Sequence, residues 1–152
     1  MKKAFLTGLF AAAAIALMSP FAASQGGKKS DSVVKVKAKL DKAPVGKAVV
    51  VLTLDIQPGW HLYANPVGLE DLESSQVVVK VANASAKIEY PVGKVITDDT
   101  LGKYSVYEDT VAIRATIDRA AGNTSPIEIT VRMQSCDAKT CLPPATVKVS
   151  VP

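Results

Sequence analysis

The sequence predicts an all-β protein, an immunoglobulin-like antiparallel β-sandwich of about seven to eight strands. Short segments in which apolar and polar residues alternate follow one another along the chain, and almost none has the periodicity of a helix. Turn residues separate these segments at short intervals. The same pattern allows a small barrel as the alternative fold.

The predicted strands cover residues 33–40, 48–56, 76–81, 86–90, 110–117, 127–135 and 145–151. The first alternates valine with lysine, so Lys35, Lys37 and Lys39 are expected on its solvent-facing side. A turn containing Pro and Gly leads into the second, whose even-numbered apolar residues share one face. Three shorter candidates follow, and the last two strands alternate clearly on either side of the cysteines.

The first residues predict an export signal. Met1, Lys2 and Lys3 precede an apolar run of about 15 residues and a set of small residues, as in a secretory signal peptide over residues 1–24. A polar, Gly- and Lys-rich stretch at 25–32 predicts a flexible linker, which leaves residues 33–152 as one domain. The apolar run is short for a membrane span, so no span is expected after cleavage.

The charge and motifs exclude some classes of function. Without Lys2 and Lys3 the chain has 16 basic and 14 acidic residues, so a nucleic-acid partner is not expected. No Gly-rich phosphate-binding loop follows a strand.

The only two cysteines, Cys136 and Cys141, lie between the last two predicted strands. Four residues separate them, so the chain must turn back if they are to form a disulfide, and Asp137 and Thr140 favour such a turn. A loop this small gives a disulfide only about 2 kcal/mol of stabilisation. The spacing alone leaves a reversible redox pair and an inert bridge equally open.

Two other stretches interrupt the strand pattern. Residues 58–66 include Trp60, His61 and Tyr63 and predict either a core plug, the favoured interpretation, or a binding surface. His61 is interpreted as structural or partner-facing, with a base for a cysteine, or a copper ligand beside Met133 and the cysteines, as alternatives. Residues 97–109 predict a solvated surface loop.

Taken in order, Gly59-Trp60-His61-Leu62-Tyr63, Tyr104-Ser105-Val106-Tyr107-Glu108-Asp109, Gln134-Ser135-Cys136 and Cys141-Leu142-Pro143-Pro144 resemble the N-terminal domain of the thiol:disulfide interchange protein DsbD. The resemblance covers nearly the whole chain after the signal. It implies a periplasmic protein-disulfide reductase domain that needs no metal or cofactor. A thioredoxin-like or membrane thiol protein would be its electron donor, and oxidised periplasmic proteins would be its acceptors.

By position, the resemblance implies that Cys141 attacks partner disulfides and Cys136 resolves the mixed disulfide. Tyr63 matches an aromatic residue beside the pair, and Trp60 and His61 are expected on the partner surface. The cap loop that covers the disulfide in this family corresponds to Asp98, Asp99, Thr100, Leu101 and Gly102.

The chain departs from the family pattern in three ways. Four residues rather than five separate the cysteines, and an aromatic residue of the cap loop falls on Thr100 or Leu101. The family protein continues into a membrane electron carrier and a thioredoxin-like domain, so a separate reductant is expected here. A non-catalytic immunoglobulin-like binding module and a copper-binding protein are the alternative functions.

Overall fold

The computed structural model describes residues 27–152. Two 3-10 helices, Ser30–Ser32 and Glu70–Ser75, accompany the strands. The strands of the described part are β1 (Val34–Asp41), β2 (Lys47–Ile56), β3 (His61–Tyr63), β4 (Val78–Val81), β5 (Ala86–Glu89), β6 (Lys94–Asp98), β7 (Gly102–Tyr107), β8 (Thr110–Asp118), β9 (Ile127–Met133), β10 (Ser135–Cys136) and β11 (Ala145–Val151).

The strands form three antiparallel sheets with the orders β1-β2-β8-β5, β11-β9-β4 and β10-β3-β7-β6. The first two contribute to one large core, with Leu52 and Ile113 from one sheet and Ile129 and Val131 from the other. The third sheet carries a second, smaller core. This arrangement confirms the predicted immunoglobulin-like sandwich.

Alternation along β2 shows why the chain adopts this fold. Val50, Leu52 and Leu54 have no exposed surface, whereas the residues between them are partly exposed. Burial of three such side chains stabilises the fold by roughly 5–9 kcal/mol before the entropy of ordering is subtracted. The lysines of β1 lie on its outer side, as predicted, and Lys37 forms an ion pair with Asp55 of β2.

The prediction of about seven to eight strands was too low for the described part of the chain, because it missed short strands. The stretch predicted as a surface loop at 97–109 contains the end of β6 and the whole of β7, which form a hairpin. The predicted strand 127–135 is split at Gln134. Before this residue β9 pairs with β4 and β11, and after it β10 pairs with β3. This change of sheet carries Cys136 into the third sheet.

The flexible linker predicted over 25–32 is wrong for its last three residues, which form the 3-10 helix Ser30–Ser32. Ser30 has no exposed surface and hydrogen-bonds to distant parts of the chain, so it belongs to the domain. The predicted signal peptide lies outside the described residues. Within 27–152 there is no helix long and apolar enough to cross a membrane.

Candidate functional site

Cys136 and Cys141 form a disulfide at the end of the third sheet. They face each other as an antiparallel bridge with their Cα atoms 4.0 Å apart. The Asp137 N–H donates to the Thr140 carbonyl on one side of the pair, at 2.9 Å. The cysteines therefore occupy a non-hydrogen-bonded position of a short hairpin, where opposite side chains come closest. The turn expected from the spacing is confirmed.

Asp137 holds this turn closed. Its Oδ1 accepts the backbone N–H groups of Lys139 at 2.7 Å and Thr140 at 2.8 Å. These two hydrogen bonds, together with the positive charge of Lys139, lower the pKa of the Asp137 carboxyl group. The four residues between the cysteines thus form a locally stabilised turn rather than a loose loop.

The two sulfurs have different surroundings. Cys136 is only 2% exposed and belongs to the second core, whereas Cys141 is exposed. The Tyr63 hydroxyl lies 3.7 Å from the Cys136 Sγ and must be the donor, because a disulfide sulfur has no hydrogen. Burial, and to a smaller extent the neighbouring Tyr104, raise the pKa of Tyr63, so this donor stays protonated.

The aromatic segment 58–66 combines the two interpretations of the sequence. Leu62 and Tyr63 are buried, as a core plug would be, while Trp60 and His61 are partly exposed. Trp60 packs against the large core. Trp60 and His61 also line a surface groove of about 430 Å³ that reaches Ala138 in the cysteine turn. The partner-facing role of this groove stays a prediction.

His61 lies directly opposite Cys136 in the pairing of β3 with β10. Its ring meets the Tyr63 ring edge-on, with the centroids 6.0 Å apart. Burial lowers the pKa of His61, and the negative charges of Glu108 and Asp137 oppose this shift. The imidazole therefore projects from the same face of the sheet as the Cys136 side chain.

The predicted cap residues form the tip of the β6–β7 hairpin. Asp98 Oδ1 accepts the backbone N–H groups of Thr100 and Leu101, both at 2.8 Å, and these bonds lower the pKa of Asp98. Asp99 is exposed, Leu101 is 47% exposed, and Gly102 has a φ of +98° that favours glycine. The covering of the disulfide by this tip stays a prediction.

Other residues of the same hairpin pack against the cluster that contains Cys136. Ile96 and Tyr104 pack against the second core, to which Cys136 belongs. The Tyr104 ring lies 5.9 Å from the Tyr63 ring. The sequence motif included Tyr104 without assigning it a role. Tyr104 and the buried Val106 are two residues apart in β7, and this spacing was the signal that could have placed both on the same face.

A buried serine clamp, which sequence reasoning missed, holds both flanks of the cysteine turn. The Ser30 hydroxyl accepts the Ser135 N–H at 2.8 Å and donates to the Pro143 carbonyl at 2.9 Å. The Ser30 N–H donates to the same carbonyl at 3.0 Å. Ser30 and Ser135 are fully buried. The start of the domain therefore fixes the strand that carries Cys136.

The ligand set considered for copper is not assembled. Met133 is 1% exposed in the large core, whereas Cys136 belongs to the second core. Within the described residues no group of three or more His, Cys, Asp or Glu side chains is placed to hold a metal ion.

Comparisons with known proteins agree with this geometry. Residues 29–152 match the family model of the thiol:disulfide interchange protein DsbD, N-terminal. The DsbD protein of Cronobacter sakazakii is 31% identical over 99 residues, which cover 64% of this chain and 15% of that protein. This chain therefore spans only a small part of the length of that relative.

Two solved structures share the fold. One is the N-terminal periplasmic domain of ScsB from Proteus mirabilis, with a TM-score of 0.61 and 15% identity over 79% of this chain and 46% of that one. The other is the Neisseria meningitidis DsbD N-terminal domain in the reduced form, with a TM-score of 0.52 and 17% identity over 82% and 88% of the two chains. The family match covers most of the chain, which therefore belongs to the family of DsbD N-terminal domains.

Proposed function

We propose that this domain carries out thiol–disulfide exchange, passing reducing equivalents through Cys136 and Cys141 to partner proteins. The observation that carries the proposal is the asymmetry of the pair. One cysteine is exposed on a tight turn, and the other is buried, with its sulfur beside a tyrosine hydroxyl. Exchange needs an accessible attacking thiol and a second thiol held next to it.

In the proposed reaction, the Cys141 thiolate attacks a partner disulfide and forms a mixed disulfide, and one partner sulfur leaves as a thiolate. The Cys136 thiolate then attacks Cys141 Sγ, which closes the internal disulfide and releases the second partner sulfur. Two electrons pass from the domain to the partner. The exposure of Cys141 and the burial of Cys136 support these roles.

Family membership supports the choice of partners and compartment. A thioredoxin-like or membrane thiol protein would reduce the domain, and oxidised periplasmic proteins would receive its electrons. The matching ScsB domain is periplasmic, and we assign this chain to the same compartment. Tyr63 and Tyr104 would shield the buried sulfur from one side, with the tip at Asp98–Gly102 as the cap.

The equilibrium reduction potential tests the proposal. Reduced and oxidised glutathione would be varied, and free thiols counted, in a chain with no other cysteines. We expect a value between about −270 and −120 mV, the range of proteins that cycle with partners. A value below about −300 mV would make the bridge structural and favour the non-catalytic binding module.

A pair of matched variants tests the roles of the two sulfurs. Cys136→Ser leaves only the exposed thiol and should accumulate stable mixed disulfides with a thioredoxin-like protein. Cys141→Ser leaves only the buried thiol and should accumulate few. Equal trapping by both variants would contradict the assigned order of attack.

A further inference from the structure

Three residues that bear acid or base groups, Cys136, His61 and Glu108, lie in a row across the third sheet. Strand β3 is between β10 and β7, and His61 pairs with Cys136 on the β10 side. Leu62 pairs with Tyr107 on the β7 side, so continuing that register by one residue brings Glu108 opposite His61. Directly opposed residues project from the same face, with Cβ atoms about 4.5–5.5 Å apart.

Side-chain contacts agree with this register. The Tyr63 ring is in edge contact with His61, and the Tyr63 hydroxyl reaches the Cys136 Sγ. The face therefore brings an imidazole and the buried sulfur to the same tyrosine. Glu108 forms an ion pair with Lys94 at 2.8 Å.

The buried thiol needs help to ionise. Burial in apolar surroundings disfavours a thiolate, and Cys136 belongs to the buried second core. Cys141 is exposed and can lose its proton to water. Of the two proposed exchange steps, attack by Cys136 is therefore the one that a nearby base would accelerate.

Resting on the proposed function, we propose that His61 is the proton acceptor that activates Cys136 in the resolving step. The neutral imidazole takes the Cys136 thiol proton, and the thiolate attacks Cys141 Sγ. The internal S–S bond forms while the bond between Cys141 and the partner breaks, and the partner leaves as a thiolate. The imidazolium then gives its proton to that thiolate or to water, so electrons and protons balance.

The surroundings of His61 suit this role. Burial lowers the pKa of His61, which favours the neutral form that can accept a proton near pH 7. Its charged and titratable neighbours come from β3, β6, the end of β7 and the cysteine turn, and they are Tyr63, Lys94, Glu108, Asp109 and Asp137. Of these, Glu108 makes the largest opposing contribution to the pKa of His61.

A single-turnover experiment tests the inference. The reduced domain would be mixed with a stoichiometric amount of a small aromatic disulfide that releases a coloured thiolate at each exchange. The first phase reports attack by Cys141, and the second reports resolution by Cys136. His61→Gln and His61→Tyr should slow the second phase at pH 7 by at least about tenfold, a threshold set below the roughly 100-fold lower end of general-base effects. The first phase should change by less than about twofold.

The pH profile provides a test that does not depend on the folding of a variant. The wild-type second phase should rise with pH and reach its half-maximal rate at the imidazole pKa, which proton NMR can measure without ambiguity because His61 is the only histidine. Glu108→Gln removes a charge that raises this pKa and should move both midpoints to lower pH together.

The possible failures can be told apart. A second phase that is unchanged in both His61 variants, or slowed no more than the first phase, would overturn the role of His61 alone. A rate that follows only a thiol pKa would do the same. A wild-type domain that releases only one equivalent of coloured thiolate performs no resolving step, and this result would overturn the proposed exchange function and the role of His61 with it.

Discussion

Replacing Ser30 with alanine should destabilise the domain, because Ser30 is the centre of the buried clamp. The substitution removes the hydroxyl that accepts the Ser135 N–H and donates to the Pro143 carbonyl. The carbonyl keeps its hydrogen bond from the Ser30 N–H. The Ser135 N–H loses its acceptor, the Ser30 hydroxyl, and Ser135 is fully buried.

The magnitude follows from this one orphaned group. A buried donor left without a partner costs about 1–3 kcal/mol, so we expect a loss of about 2 kcal/mol in the free energy of unfolding. For the length of residues 27–152, the entropy of unfolding is about 0.26 kcal/mol/K. The melting temperature should therefore fall by about 8 °C.

Thermal unfolding of the oxidised domain, followed by circular dichroism, measures this change. Ser32→Ala is the matched control, because the Ser32 hydroxyl makes only an exposed hydrogen bond to the Lys29 carbonyl. This control should stay within about 0.5 kcal/mol of the wild type. If the two variants unfold at the same temperature, the clamp does not contribute as described.

Three further predictions follow from the site and its support. Tyr63→Phe removes the hydroxyl donor beside the buried sulfur and should weaken the stabilisation of its thiolate, so in a Cys141→Ser background the thiolate absorbance should develop at higher pH than it does with Tyr63 present; an unchanged absorbance profile would contradict the hydrogen bond. The pKa of Asp137 is lowered, so its carboxylate stabilises the fold above about pH 3.8, the ordinary pKa, and this stabilisation is lost as the pH falls through the folded-state pKa. The stabilities of the wild type and of Asp137→Asn, measured by urea unfolding, should therefore converge in acid. A difference in stability that does not change with pH would argue against a role for the charge. Gly93→Ala places a Cβ 2.6 Å from the Ala64 Cβ and should cost about 1–3 kcal/mol in urea unfolding, and a wild-type midpoint would show that the backbone yields without cost.

The long strands could be predicted because apolar and polar residues alternate along them. The second strand was expected at 48–56 and is found at Lys47–Ile56, and the last was expected at 145–151 and is found at Ala145–Val151. The short strands β3 and β10 have too few residues to show a period, and their pairing depends on contacts between distant parts of the chain. The split at Gln134 has no local signal for the same reason.

The parts of the site that depend on neighbouring residues in the sequence could be predicted. The cysteine turn follows from the spacing and from Asp137, which bonds to the two residues that a turn-forming aspartate would reach. The position of His61 opposite Cys136 depends on a register that sequence alone does not fix. Ser30 could not be found, because a hydrogen bond between serines 105 residues apart leaves no periodic pattern.

The serine clamp also bears on the order in which the domain matures. Cys136 and Cys141 are five positions apart, so their sulfurs can meet while the rest of the chain is still unfolded. With no other cysteine present, this oxidation cannot produce a wrong pairing within the chain. Seating the turn beneath Ser30 instead requires the two ends of the domain to meet, a non-local contact for which a much longer stretch of chain must be ordered. Formation of the Cys136–Cys141 disulfide and formation of the buried clamp around it are therefore separate steps in the maturation of the domain.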